Sequence, residues 1–121
     1  MEDANLELAL QAVLFGAVGT AGQRCTTIRR LMVHEKIMDK FIERLIGAYR
    51  SIQVGNPLEP RTLMGPLIDG EAVAQFETAV ETIVKEGGKI LSGGRVLKEG
   101  PYAEGFYVEP TLVLAHPEMS M

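Results

Sequence analysis

The chain has 121 residues, of which 46% are hydrophobic and 23% are charged, and this composition is typical of one modest soluble domain. Its formal net charge of −4 excludes the basic footprint of a nucleic-acid-binding protein. No apolar run approaches the roughly 20 residues that span a bilayer, and no signal peptide is expected.

A first helix is predicted near the amino end from apolar residues at helical spacing. These residues are Leu6, Leu10, Val13, Leu14 and Ala17. Asp3 is a plausible N-cap, and Gly19 and Gly22 are expected to end the helix. The additional apolar side chains of Leu8 and Phe15 widen the face, so the sequence predicts a helix that lies deep between layers.

The middle of the chain predicts a strand and two further helices. Residues 26–34 are rich in β-branched and aliphatic side chains, which favours a short strand. A strong helical stripe follows, formed by Met38, Phe41, Ile42, Leu45, Ile46 and Tyr49. A third helix is predicted from about Gly70 to Glu86, with Asp69 as its cap and Gly87 as its stop.

Two strands are predicted near the carboxyl end, at residues 89–92 and 107–114, with a turn at Gly93 and Gly94. Pro110 removes one ladder donor and therefore implies an edge or a bulge. Strands that alternate with helices indicate an α/β layered fold with a largely parallel sheet. The few predicted strands cannot bury the apolar faces of all three helices, so we expect residues 1–121 to form part of a larger domain.

Cys25 is the only cysteine, so an internal disulfide is excluded and a reducing, cytoplasmic compartment is predicted. The thiol could be a nucleophile or an inert filler, since most lone cysteines are structural. Gly19 and Gly22 precede it, and Arg24 adjoins it, so a reachable and activated thiol is favoured. With only two distant histidines in the chain, no metal site is predicted.

The run Gly22-Gln23-Arg24-Cys25 resembles the nucleophile motif of the aldehyde dehydrogenase superfamily. Further motifs resemble that family in the same order: Val54-Gly55-Asn56-Pro57, Met64-Gly65-Pro66-Leu67-Ile68, Glu86-Gly87-Gly88, Gly93-Gly94 and Gly105-Phe106-Tyr107-Val108-Glu109-Pro110-Thr111-Leu112. The sequence from Gly19 to Thr27 is most similar to that of the antiquitin branch, whose members oxidise α-aminoadipic semialdehyde in lysine breakdown. Thr27 in particular departs from the small residue of many other branches.

The resemblance implies a partial three-layer catalytic domain over residues 1–121, with the cofactor-binding domain absent. It makes Cys25 the nucleophile that forms a thioester, and its backbone N–H one donor of the oxyanion hole. Thr26 and Arg24 are expected at the substrate, although Arg24 could instead face solvent. The resemblance also implies NAD or NADP as cofactor, an aldehyde substrate and a homo-oligomer, while no cofactor-binding residue can be assigned.

Three interpretations of function stay open from the sequence. The first is the nucleophile-bearing part of an NAD(P)-dependent aldehyde dehydrogenase, inactive as an isolated chain because it lacks a cofactor fold and a general base. The second is a non-catalytic interaction or assembly module. The third is a gene fragment with no separate role.

Overall fold

The computed structural model describes residues 1–120, which form three α-helices, four short strands and two 3-10 turns. The helices are α1 (Leu6–Val18), α2 (Glu35–Ser51) and α3 (Gly70–Lys85). The strands are β1 (Lys89–Ser92), β2 (Val96–Leu97), β3 (Tyr107–Val108) and β4 (Leu112–Leu114), and the 3-10 turns are Gly19–Gly22 and Gly100–Tyr102. All three predicted helices are present, and the mixed helix and strand content confirms the α/β class.

The strands pair differently from the largely parallel sheet that the sequence predicted. Within residues 1–120, β1 pairs with β4 and β2 pairs with β3, and both pairs are antiparallel. A single isolated bridge between Val54 and Met64 is parallel. The reason is that no α-helix intervenes between β1 and β4, and parallel neighbours need a crossover of a dozen or more residues, usually helical.

Two strand predictions need correction. Residues 26–34 form no strand in the described part of the chain, where the Ile28 N–H donates to the Gly16 carbonyl at 2.9 Å. β-Branched residues favour extended backbone, but a strand also needs a neighbour to pair with. The predicted strand 107–114 is divided into β3 and β4 around Pro110, which cannot donate to a ladder. The short β2 was not predicted.

Local side chains determine where the helices begin. Asn5, rather than the predicted Asp3, caps α1, because its Oδ1 accepts from the N–H groups of Glu7 and Leu8 at 3.1 Å. Asp69 caps α3 as predicted, with its Oδ1 accepting from the Ala72 N–H at 2.9 Å. Such caps satisfy amide groups that have no partner inside the helix.

The core forms where the apolar stripe of α2 packs against α1 and the strands. Leu45 is 1% exposed, and the other buried members of this cluster are Val13, Val18, Phe41, Tyr49, Met64 and Val108. The expectation that α1 lies deep between layers is wrong for this chain, since Leu8 is 65% and Phe15 is 71% exposed. The reason is that α1 packs mainly against α2, which covers only one of its faces.

The turn after β1 provides a test of this architecture. Gly93 has φ +77°, and an added Cβ would overlap the Pro110 carbonyl oxygen. Because this oxygen belongs to the backbone, it cannot move away without disturbing the chain around it. We expect Gly93→Ala to lower the free energy of unfolding by roughly 2 kcal/mol or more, measured by urea denaturation.

Gly47→Ala is the matched control, because nothing lies within 4 Å of an added Cβ at this position inside α2. Alanine has the higher helix propensity, so this variant should gain about 0.5–1 kcal/mol. Equal stability of the two variants would contradict the described turn.

Candidate active site

Cys25 lies on a tight turn that follows α1 and its 3-10 extension. The Thr27 N–H donates to the Arg24 carbonyl at 3.1 Å, and the Arg24 N–H donates to Thr27 Oγ1 at 3.1 Å. Cys25 and Thr26 occupy the middle of this turn, and both are exposed. The thiol is therefore reachable from solvent, as the sequence predicted, and Thr26 lies beside it.

The backbone just before this turn adopts an uncommon left-handed conformation. Thr20 has φ 56°, Ala21 has φ 52° and Gly22 has φ 72°. This region costs an L-residue roughly 1–2 kcal/mol, whereas glycine enters it freely. Gly19 meanwhile ends α1, with its N–H donating to the Phe15 carbonyl. The two glycines thus have different roles, since Gly19 stops the helix and Gly22 allows the reversal that leads to Cys25.

Arg24 folds back over the carboxyl end of α1. Its Nη2 donates to the Phe15 carbonyl at 2.8 Å, and its Cζ lies 4.7 Å from the centroid of the Phe15 ring. A cation is favoured at a helix carboxyl terminus and over an aromatic face. Arg24 Nε is buried and has no hydrogen-bond partner among residues 1–120. The structure therefore gives Arg24 a role at the helix end, and its substrate-binding role stays a prediction, as does that of Thr26.

Gln23 is a site residue for which the sequence predicted no role beyond its place in the run Gly22-Gln23-Arg24-Cys25. Its Oε1 accepts from the Ile68 N–H at 2.9 Å, and its Nε2 donates to the carbonyls of Pro66 at 3.3 Å and Thr20 at 3.2 Å. The two motifs that it joins were both visible in the sequence. No local pattern indicated that a side chain connects them across 45 residues.

The backbone N–H of Cys25 makes no hydrogen bond within residues 1–120. Its neighbours Arg24 and Thr27 use their amides within the turn, but the Cys25 amide has no acceptor in the described part of the chain. An amide adjacent to a nucleophilic atom is the kind of donor that stabilises an oxyanion. This geometry is compatible with the expected oxyanion-hole role.

Two concave surfaces lie away from the Cys25 turn. The larger has a volume of about 380 Å³ and is lined by Tyr49, Arg50, Ile52, Ser92, Gly93, Arg95, Glu109 and Pro110. Hydrogen bonds to Glu109 raise the pKa of Arg95, and burial raises the pKa of Tyr49. The smaller, of about 100 Å³, is an apolar groove beside α1 and α2. Neither is lined by residues 19–27, so neither supplies a cofactor cradle at the thiol.

Residues 1–120 contain no candidate metal cluster and no candidate membrane-spanning helix. No group of three or more His, Cys, Asp or Glu side chains there could hold a metal ion. None of the helices in the same range has the length and apolarity to cross a membrane.

The comparisons with known proteins all identify the same family. Residues 1–121 match the model of the aldehyde dehydrogenase family. The chain is 54% identical over 112 residues to α-aminoadipic semialdehyde dehydrogenase of Rattus norvegicus, covering 93% of this chain and 20% of the relative. It is 50% identical over 113 residues to aldehyde dehydrogenase family 7 member B4 of Arabidopsis thaliana, covering 93% and 22%.

Solved structures agree with the sequence relatives. The crystal structure of PnpE, a protein of Pseudomonas sp. WBC-3, in complex with nicotinamide adenine dinucleotide has a TM-score of 0.94 and 38% identity. This similarity covers 98% of the chain and 24% of PnpE. The chain thus spans about a fifth of the length of the curated relatives it matches.

The exposure of Cys25 predicts that its thiol reacts in the folded protein. Iodoacetamide should add one label per chain under native conditions, at a rate comparable to that in urea, because no opening step is needed. Intact-mass spectrometry against time would measure both rates, and Cys25→Ser should take up no label. Protection of the thiol until the chain unfolds would instead support the filler interpretation.

Proposed function

The chain belongs to the aldehyde dehydrogenase family, and we propose that it is the nucleophile-bearing part of the catalytic domain of an NAD(P)-dependent enzyme that oxidises aldehydes. One observation carries the proposal: the single thiol, Cys25, is exposed on a turn inside the stretch, residues 1–121, that matches this family. The cofactor-binding domain lies, in this proposal, outside residues 1–121.

The chemistry of this site begins at the sulfur atom. The Cys25 thiolate attacks the aldehyde carbon, an S–C bond forms, and the carbonyl oxygen becomes an oxyanion that the Cys25 N–H can bind. NAD(P) supplies the hydride acceptor when bound to the complete enzyme, and no residue of this chain is assigned to hold it. The C–H bond of the former aldehyde carbon breaks as its hydride leaves to that acceptor, and the oxyanion re-forms a C=O bond, which gives a thioester. Water then attacks the thioester carbon, the S–C bond breaks, and the acid and the Cys25 sulfur are released.

We propose α-aminoadipic semialdehyde as the substrate and lysine breakdown as the pathway. The identity of 54% to the rat enzyme named for that substrate supports this choice. Arg24 directly precedes the nucleophile and carries five N–H donors, of which the Phe15 carbonyl occupies one. In this proposal the guanidinium N–H groups other than the buried Nε bind the substrate carboxylate, and Thr26 lies on the other side of Cys25.

The partners and location follow the same proposal. Exposed apolar side chains on α1 and in the loops, with Leu8, Phe15 and Ile68 among them, support association with further copies. We propose a homo-oligomer in a cytoplasmic, reducing compartment, where a lone exposed thiol stays reduced. A non-catalytic assembly module is the alternative, and it would use these same apolar faces without any role for Cys25.

A chimera tests the catalytic role directly. The matched segment of the rat enzyme is replaced by the corresponding residues of this chain, so that the rest of the enzyme supplies the cofactor site. We expect the chimera to form NADH from α-aminoadipic semialdehyde, and Cys25→Ala to lower kcat by at least about 10³-fold, because the nucleophile is removed.

Ala74→Ser, on the exposed part of α3, is the control for the general effect of replacing one residue, and this variant should keep full activity. The isolated 121-residue chain should form no NADH under the same conditions. Retained activity in the Cys25→Ala chimera would exclude the proposed nucleophile, and turnover by the isolated chain would contradict the absence of a cofactor site.

Association can be measured on the chain itself. We expect light scattering across a dilution series to show a species larger than a monomer at tens of micromolar, because the exposed apolar side chains favour contact between chains. Phe15→Glu and Leu8→Glu should shift the distribution toward monomer, whereas Gln11→Glu, also exposed on α1, should not. A monomer at all concentrations would exclude the homo-oligomer.

A further inference from the structure

We propose that Gln23 is a positioning residue for the nucleophile, because its side-chain amide fastens the Cys25 turn to the segment 65–69. This inference rests on the proposed function of Cys25 and adds a residue that acts on the thiol through the backbone. Gln23 itself need not touch the substrate. Its role would be to keep the sulfur atom within the narrow range of positions from which attack succeeds.

The contacts use both ends of the amide. The oxygen accepts from the Ile68 N–H at 2.9 Å, while the nitrogen donates to the Pro66 carbonyl at 3.3 Å and to the Thr20 carbonyl at 3.2 Å. The backbone partners determine the orientation of the amide, since an N–H can only donate and a carbonyl can only accept. A carboxylate could satisfy the first partner but not the other two.

The far side of this connection is itself held by the fold. The Leu67 N–H donates to the Phe106 carbonyl at 2.8 Å, next to β3. Two residues later, Asp69 caps α3 through the Ala72 N–H. The amide of Gln23 therefore attaches the turn to a segment that is anchored both to the strands and to a helix.

The near side of the connection is the left-handed backbone that leads to Cys25. The backbone N–H of Gln23 donates to the Thr20 carbonyl at 3.0 Å, so main chain and side chain converge on one acceptor. Thr20 and Ala21 both have positive φ, which such hydrogen bonds help to maintain. Since Cys25 comes two residues after Gln23, a relaxation of this turn would move the thiol.

An ordinary surface glutamine does not make contacts of this kind. Gln75 is also exposed, and its side chain makes one hydrogen bond, at 3.4 Å, to Glu71 of the same helix. Gln23 is exposed as well, yet it joins two segments more than 40 residues apart in the chain. This contrast makes Gln75 the matched control position.

Hydrogen exchange of the 121-residue chain tests whether the connection exists. Gln23→Met keeps the length of the side chain and removes every hydrogen bond of the amide, so exchange of the Ile68 N–H should accelerate at least about tenfold. Gln75→Met should leave it unchanged. Unchanged exchange at Ile68 in folded Gln23→Met would overturn the proposal.

The rat chimera tests whether the connection positions the nucleophile. Gln23→Met should lower kcat about 10–100-fold, because the thiol is misplaced, while the KM for NAD+ and the Tm stay close to those of the Gln75→Met control. Gln23→Glu has nearly the same size, so it provides a second variant if the first folds poorly, and its carboxylate should not restore kcat.

The outcomes separate the two proposals. A chimera whose activity survives Cys25→Ala refutes the nucleophile, and the positioning role is then refuted with it. An active, Cys25-dependent chimera that keeps full kcat in both Gln23 variants refutes only the positioning role. A loss of kcat that merely follows a matching fall in Tm would also overturn it, since a general structural role would explain that result.

Discussion

The burial of the α2 stripe is the constraint on which the rest of this structure depends. Phe41, Leu45 and Tyr49 lie on one side of α2 and are almost completely removed from water. Burial of a large apolar side chain contributes roughly 1.5–3 kcal/mol, so these three residues outweigh the exposed ion pairs of the chain, which contribute about 0–1 kcal/mol each. Because α1 packs on the same stripe, the position of its carboxyl end follows from this contact.

The candidate site is built from that carboxyl end rather than from a deep pocket. The helix stops at Gly19, the backbone reverses through left-handed residues, and Cys25 emerges on a solvent-facing turn. Such a reversal is strained for Thr20 and Ala21, and the surrounding hydrogen bonds offset the strain. Arg24 binds the last turn of α1, and Gln23 binds the loop before α3.

The structure around Cys25 has the features that a nucleophile requires, in agreement with the family assignment. A nucleophile that must meet a substrate carbonyl needs an exposed sulfur, a free backbone donor and a supporting loop whose shape is held from both sides. All three features occur here within the described residues. The polar cavity beside Tyr49 and Arg95 lies apart from them, and its charges are largely used in the Arg95–Glu109 pair.

The sequence by itself determined the features that depend on neighbours along the chain. Helical spacing predicted α2 and α3, Asp69 was identified as a cap, and the glycines around Cys25 marked the end of α1, because caps and helix stops involve residues a few positions apart. The resemblance of Gly22-Gln23-Arg24-Cys25 also indicated the family that the comparisons confirmed.

Only the tertiary structure decided which distant segments meet. The strand predicted at 26–34 has no partner in the described part of the chain, and β1 pairs antiparallel with β4. The exposed outer face of α1 and the link from Gln23 to Ile68 were equally invisible in the sequence. Strand pairing, burial and long-range hydrogen bonds depend on which distant residues the fold brings together. A local sequence pattern shows only which conformations and which kinds of neighbour a residue favours.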